Sequence, residues 1–314
     1  MSAFPLFLSY LNVDTIVSGD SLAVSATPAL ATLWREVMAE LGPHEEHGMA
    51  FGNGPHGDVV DANTNSFLDS SVVGTLGSGS DYTVFLDRLG IASLDFSFNK
   101  AAATYGVYHS IYDSFDWVDN FGGREGEKGS AFELMAFGAK IWGLLALRLA
   151  DSEILPFDHQ EQGEALERYC DTVAGREGGE ALELTELREA VAKYVTAGAH
   201  LNGARLRDFA SGKWCGEKPH GDKRNNDKEM AACLDSLNDR LALTERKFLS
   251  PEGLPGRPWF RHTLQAPGLY LGYAAEAFPG VQQALDDGDL VLAQEQVEVL
   301  VERVNEAVEF MTKE

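Results

Sequence analysis

Residues 105–117 read YGVYHSIYDSFDW and place His109 among five aromatic side chains and two aspartates. Imidazole is the commonest side-chain ligand of zinc and related metal ions in proteins. The phenol of the neighbouring Tyr108 could donate a hydrogen bond to an oxyanion that forms on a metal-bound carbonyl. A single histidine among aromatic residues is more often a packed structural residue, so the segment alone leaves both interpretations open.

An acidic residue follows the first predicted strand of the chain. Residues 6–14 form a short, mostly apolar run that is typical of a buried sheet strand. Asp14 would lie at the carboxyl end of this strand, where open α/β sheets bind their ligands. The alternative is an aspartate in an ordinary turn before Thr15.

A glycine-rich segment, LGSGSD at residues 76–81, is the next candidate. It lacks the spacing of a phosphate-binding or dinucleotide-binding loop. Gly77 and Gly79 would allow the backbone to approach a ligand closely. Ser80 and Asp81 could instead cap a helix over residues 82–89, and the two interpretations are compatible.

The hydrophobic pattern predicts an α/β part followed by a helical part. Two strands are expected at residues 21–25 and 91–98, and Thr27 before Pro28 predicts a capped helix that ends at Gly42. Residues 42–69 and 214–229 are expected to be loops. Further helices are predicted at 132–150, 159–173, 180–210, 227–249 and 289–312, with the boundary between the two parts near 151–156.

Short motifs spread over nearly the whole chain resemble, in order and spacing, those of the glutamate carboxypeptidase II and transferrin receptor family. The family's zinc-ligand segment is close to Tyr-His-Ser-x-Tyr-Asp/Glu, which resembles residues 108–113. The other matching pieces are YLNVD at 10–14, LGSGSD at 76–81, RLGIAS at 88–93, LPFD at 155–158, LPGRP at 254–258, RH at 261–262 and FPG at 278–280.

The resemblance implies a fold of two domains. Residues 1–152 would be the C-terminal part of a zinc-exopeptidase-type α/β domain, with a mixed sheet and flanking helices. Residues 153–314 would be an all-α, transferrin-receptor-like dimerisation domain, through which the protein would form a homodimer. Members of the family are membrane-anchored and face the exterior or a vacuole, but this chain shows no targeting segment of its own.

The resemblance also implies site residues for peptide hydrolysis at two zinc ions. Asp14 would ligate one zinc ion and His109 the other, and Tyr108 would stabilise the oxyanion. The peptide substrate would lie against three further residues, namely Ser78, Gly79 and Tyr273, the last of which would hold its terminal carboxylate.

Other parts of the family pattern have no match in this chain. The family's His-x-Asp zinc site and its Glu-Glu pair precede the aspartate that Asp14 matches, so the chain resembles the C-terminal half of such a peptidase. The HEEH at residues 44–47 does not replace them, because helical zinc histidines need an i, i+4 spacing. We therefore expect the chain alone to be inactive, and a non-catalytic receptor-like or dimerisation protein is the alternative.

The residues that would contact the substrate side chains also differ from the family pattern. Gly272 stands where the best-known member has a lysine that binds glutamate, and Ser80 replaces an asparagine. Asp95 and Ser97 replace two arginines of a pocket for acidic residues. An anion in place of cations should disfavour acidic substrates.

Composition limits the function classes further. The formal net charge of −24 argues against nucleic acid as a partner, because a polyanion would be repelled. Cys170, Cys215 and Cys233 have no metal-binding spacing and are expected to be buried free thiols. No run approaches the ~18–20 apolar residues of a transmembrane helix, so no membrane-spanning segment is expected.

Overall fold

The computed structural model describes residues 7–41, 50–51, 73–99, 106–203 and 223–313. A four-stranded mixed sheet organises the first part of the chain. Its strands are β1 (Tyr10–Asn12), β2 (Ser21–Ala26), β3 (Ala50–Phe51) and β4 (Ser93–Asn99), in the order β1-β4-β2-β3. Strand β4 pairs in parallel with β1 and antiparallel with β2, and Asn12 lies opposite Asp95.

The two faces of β4 differ in polarity because its sequence alternates. Leu94, Phe96 and Phe98 point to one face and are buried in the main core. The core on this face includes α1 (Ala31–Leu41) and α3 (Ser130–Asp151): the ring of Trp34 lies 5.6 Å from that of Phe96. The opposite face carries the polar side chains Ser93, Asp95 and Ser97, which are also buried.

Helix α3 closes the α/β part, as the sequence predicts, and begins two residues earlier than expected. Its buried side chains recur every three or four residues and face the core. Gly138 allows close packing, since a Cβ there would lie 2.9 Å from Ile16. Among the described helices, α3 alone has the length and apolar composition that could cross a membrane, a test that buried core helices also pass.

The second part is mainly helical. It contains α4 (His159–Ala174), α5 (Thr185–Gly203), α6 (Lys223–Leu243), α7 (Pro279–Asp286) and α8 (Leu290–Thr312). Helix α5 packs against both α4 and α8. The expectation of an all-α domain is wrong between α6 and α7, where β5 (Gln265–Pro267) and β6 (Ala275–Ala277) form an antiparallel hairpin.

The two parts share one continuous hydrophobic core. Asp158, the N-cap residue of α4, joins them directly, because its N–H donates to the carbonyl of Ala29 over 2.8 Å. The Asp158 carboxylate also accepts from the hydroxyl of Thr32. The proposed boundary at 152/153 remains a prediction, since contacts of this kind continue across it.

Several local predictions are wrong. Thr27 does not cap its helix; its hydroxyl accepts from the N–H of Ser93, and a 3-10 turn over Pro28–Leu30 leads into α1. Residues 223–226, expected in a loop, belong to α6. The helix expected over residues 82–89 is confirmed, with a π-helix at Val84–Arg88 within it. Strand β3 lies within the expected loop at 42–69, most of which, including HEEH, lies outside the described residues.

The cysteines only partly match the expectation of free thiols. Cys170 is a buried free thiol, as predicted. Cys233 is bonded in a disulfide, so the prediction is wrong for this residue. Cys215 lies outside the described residues.

Candidate functional site

The glycine-rich segment meets the β5–β6 hairpin at a direct contact between the two parts of the chain. The N–H of Ser78 donates to the carbonyl of Tyr273 over 3.1 Å. The ring of Tyr273 lies against Gly79, and its side chain remains 54% exposed. The structure therefore brings together Ser78, Gly79 and Tyr273, the three residues that the sequence predicts to contact the substrate.

Glycine is required at this contact for steric reasons. A Cβ on Gly77 would overlap the carbonyl oxygen of Tyr273 and lie 2.8 Å from the backbone nitrogen of Ala275. Gly79 has a φ of 110°, which side-chain-bearing residues rarely adopt, and a Cβ there would meet the Tyr273 ring at 3.0 Å. The two glycines let the hairpin approach the loop closely.

Asp14 lies just beyond the carboxyl end of β1, as predicted, and is exposed. Its backbone N–H donates to Oδ1 of Asp95 over 3.3 Å, and its own carboxylate accepts from the hydroxyl of Thr15. Thr15 has a φ of 47°, an unusual value for a β-branched residue, so the chain turns sharply there. The carboxylate of Asp14 is thus presented at the end of the sheet.

Asn12 connects this strand end to the glycine-rich segment. Its side-chain amide donates to Oδ1 of Asp95 over 2.8 Å and to the hydroxyl of Ser80 over 2.9 Å. Asn12 and Asp95 are both buried. A single buried amide therefore ties two of the segments that carry candidate site residues.

The surroundings of Asp95 are strongly acidic. Burial raises the pKa of its carboxyl from 3.8 to about 6, although hydrogen bonds from Asn12 and from two backbone N–H groups favour the ionised form. Burial also raises the pKa of Tyr82, and Asp95, Asp87 and Asp14 raise it further. This end of the sheet is therefore a region of negative potential.

The predicted zinc-ligand segment lies on an exposed turn over residues 106–114. His109 has a φ of 60°, and its ring stacks on that of Tyr108 with centroids 3.7 Å apart. Tyr108 is 45% exposed. Within the described ranges, no hydrogen bond joins His109 to Asp14, so the structure does not bring the two predicted ligands into direct contact.

These residues do not by themselves fit a zinc ion. Carboxylate oxygen and imidazole nitrogen are suitable donors, but a tetrahedral zinc site takes four ligands. Across residues 7–41, 50–51, 73–99, 106–203 and 223–313, no three His, Cys, Asp or Glu side chains are grouped as a metal site requires. The assignment of Asp14 and His109 as ligands stays a prediction.

The sequence analysis missed the linking role of Asn12. The alternation of polar and apolar residues in β4 was the available indication, because a strand with a buried polar face needs polar partners. The partner of Asp95, however, is fixed by the register between β1 and β4, which are separated by about 80 residues. No local pattern reveals that pairing.

Comparison with known proteins agrees with the ordered motifs. The sequence model of the transferrin receptor-like dimerisation domain matches residues 182–312. A probable glutamate carboxypeptidase of Arabidopsis thaliana is 31% identical over 281 residues, covering 89% of this chain and 36% of that protein. A probable glutamate carboxypeptidase of Arthroderma benhamiae is 32% identical over 298 residues, covering 93% and 36%.

A third relative carries a different description. An inactive zinc metalloprotease of Schizosaccharomyces pombe is 24% identical over 293 residues, covering 92% of this chain and 33% of that protein. The chain thus spans about a third of the length of the curated relatives that it matches.

Proposed function

Because the chain belongs to the transferrin receptor-like family of zinc peptidases, we propose that it forms part of the active site of a zinc-dependent carboxypeptidase. In this proposal Asp14 and His109 each supply a zinc ligand, and Tyr108 donates to the oxyanion of the peptide bond under attack. Ser78, Gly79 and Tyr273 bind the end of the peptide that carries the free carboxylate.

The convergence of Ser78, Gly79 and Tyr273 carries the proposal. These residues are about 195 positions apart in sequence, yet the Ser78 N–H and the Tyr273 carbonyl share a hydrogen bond of 3.1 Å. Asn12 links the same glycine-rich segment to the strand end that carries Asp14. A peptide terminus held by Tyr273 would therefore lie beside the end of the sheet where the proposed ligand stands.

The residues around this contact favour substrates without a glutamate side chain. Gly272 offers no cation, and the loop around it exposes apolar side chains, namely Leu269, Tyr270 and Leu271. The nearby Asp95 adds negative charge at the sheet end. An acidic side chain would be repelled here, whereas a neutral one would not.

The wider architecture belongs to the same proposal. Residues 1–152 would be the C-terminal part of a zinc-exopeptidase-type domain, and residues 153–314 would form a homodimer. Large apolar side chains near the zinc-ligand turn are exposed, which supports the view that further polypeptide packs here and completes the site. They include Ile111, Tyr112, Phe115 and Phe121.

The alternative is a non-catalytic dimerisation or receptor-like protein. Its support is the S. pombe relative, which is described as inactive. The described ranges also lack a complete group of metal ligands. On this alternative Asp14 and His109 would have no role beyond local structure.

The proposal is tested on the protein as its own gene encodes it, purified through a C-terminal affinity tag. We expect this polypeptide to contain zinc and to release the C-terminal residue from N-blocked peptides, faster for leucine than for glutamate. His109→Ala should abolish hydrolysis, and Tyr108→Phe should lower kcat by about 10²–10³-fold, as for loss of one oxyanion donor.

The matched control is His200→Ala, which replaces another exposed histidine, in α5. It should leave hydrolysis unchanged. Absence of both zinc and hydrolysis from the polypeptide, with a normal dimer, would refute the peptidase proposal and support the alternative.

A further inference from the structure

A charged side chain on a central strand is unusual unless neighbouring groups form hydrogen bonds or ion pairs with it. Asp95 lies in the middle of β4, between β1 and β2, and is only 7% exposed. Oδ1 of Asp95 accepts from the Asn12 amide at 2.8 Å and from the Asp14 N–H at 3.3 Å. Both donors belong to the end of β1 and the turn that follows it.

From this geometry we infer that Asp95 is a positioning residue, which fixes the Asp14 turn directly and the glycine-rich loop through Asn12. The inference rests on the proposed function, and it adds a specific role for a residue that makes no contact with the reacting atoms.

The turn that carries Asp14 needs such support. Thr15 has a φ of 47°, and a β-branched residue in that conformation persists only where neighbours hold it. The Asp95 acceptor holds the N–H immediately before this residue. Without it, the carboxylate of Asp14 could shift relative to the rest of the sheet end, and a shift of about 1 Å can cost about 100-fold in rate.

The second connection reaches the substrate side. The Asn12 amide has two N–H groups, and it gives one to Asp95 and the other to the Ser80 hydroxyl. Ser80 directly follows Gly79, whose backbone lies against Tyr273. Asp95 and Asn12 therefore set the distance between the proposed ligand Asp14 and the residues that would hold the peptide terminus.

The test uses three variants of the polypeptide produced from its own gene. Asp95→Leu removes the acceptor while keeping the number and branching of the side-chain heavy atoms, whereas Asp95→Asn keeps an Oδ1 acceptor. Ser80→Ala removes only the connection to the loop, and at its partly exposed site it should not impair folding. The matched control is Ser18→Ala, since Ser18 is similarly buried at 6% exposure, pairs with β4 through its N–H to the Phe98 carbonyl, and has no part in the proposed site.

Two readouts separate positioning from a general structural role. We expect Asp95→Leu to lower kcat by about 10–100-fold with a smaller change in KM, and Asp95→Asn to restore kcat to within about threefold. Ser80→Ala should raise KM and leave kcat nearly unchanged. Amide hydrogen exchange should quicken over residues 10–16 in Asp95→Leu, while residues 21–26 of β2 keep their protection.

The inference fails if Asp95→Leu matches Ser18→Ala in both kinetics and exchange, or if exchange quickens equally throughout the sheet. It also fails if Asp95→Asn loses as much as Asp95→Leu, because the acceptor would then not be the important feature. Should Asp95→Leu not fold, an unchanged KM in Ser80→Ala would overturn the inference. If the polypeptide lacks peptidase activity altogether, the proposed function fails, and local exchange over residues 10–16 still decides whether Asp95 positions the turn.

Discussion

Replacing Gly77 by alanine should separate the glycine-rich loop from the β5–β6 hairpin. The added Cβ would overlap the carbonyl oxygen of Tyr273 and lie 2.8 Å from the Ala275 nitrogen and 3.0 Å from the Ala274 carbonyl carbon. All three atoms belong to the backbone, so no flexible side chain can move aside. The loop or the hairpin must shift as a whole.

The cost has two parts. Overpacking of a well-packed site costs about 1–3 kcal/mol. Loss of the hydrogen bond from Ser78 to Tyr273 adds about 0.5–1.5 kcal/mol. Because strain and a lost hydrogen bond at one contact do not simply add, we expect Gly77→Ala to lower the free energy of unfolding by about 2–4 kcal/mol.

Urea unfolding followed by circular dichroism measures the change, and hydrogen exchange at the Ser78 amide locates it. The matched control is Gly143→Ala in α3, where a Cβ would meet nothing within 4 Å. Alanine is the better helix former, so this control should be stabilised by about 0.5–1 kcal/mol. Opposite signs for the same chemical change would show that the local contact decides the outcome.

A change of less than about 0.5 kcal/mol for Gly77→Ala, with the Ser78 amide as protected as before, would refute the reasoning. It would mean that the loop and the hairpin are not held together by this contact. The convergence of Ser78, Gly79 and Tyr273 would then no longer support the proposed peptide-binding site.

Three further predictions concern buried groups. Tyr194→Phe removes the hydroxyl that donates over 2.8 Å to Nδ1 of the buried His159, whose Nε2–H still donates to the carbonyl of Leu241. Because Nδ1 is left without its donor, the free energy of unfolding in urea should fall by about 1–3 kcal/mol. Burial raises the pKa of Asp87, so ionisation of this carboxyl destabilises the fold as the pH rises above the usual aspartate range. Asp87→Asn should therefore unfold at a higher urea concentration than the wild type at pH about 7. The difference between the two proteins should shrink toward pH about 4. Burial raises the pKa of the Cys170 thiol to about 11, so a thiol reagent should label it only on unfolding, and rapid labelling of the folded protein would contradict this.

The elements that the sequence predicts well are those specified by nearby residues. Helix α8 was expected at 289–312 and spans Leu290–Thr312, because Asp289 caps it and an apolar stripe runs along its length. Strand β2 and helix α3 were likewise located to within two residues. In each case the residues that define the element lie within it or next to it.

The β5–β6 hairpin shows why other elements escape such analysis. Its strands have only three residues each, and the loop between them exposes the apolar residues 269–271. Three residues are too few for an alternating pattern, and an exposed apolar loop resembles part of a helix in sequence. The hairpin also depends on distant contacts, among them the one with the glycine-rich segment, which lies almost 200 residues away in the chain.

The difference between local patterns and distant contacts also explains why the sequence predicts only part of the candidate site. The motifs indicate which residue types belong to the site, but distances between segments depend on strand register and on packing between the two parts. The proposed substrate side is built by contacts within this chain, through Tyr273, Asn12 and Asp95. The turn with His109 is exposed and makes no such contact with the sheet end in the ranges described. Hydrogen bonds within the described ranges therefore connect the residues proposed to bind a peptide terminus to the end of the sheet, and a local sequence pattern reveals none of these connections.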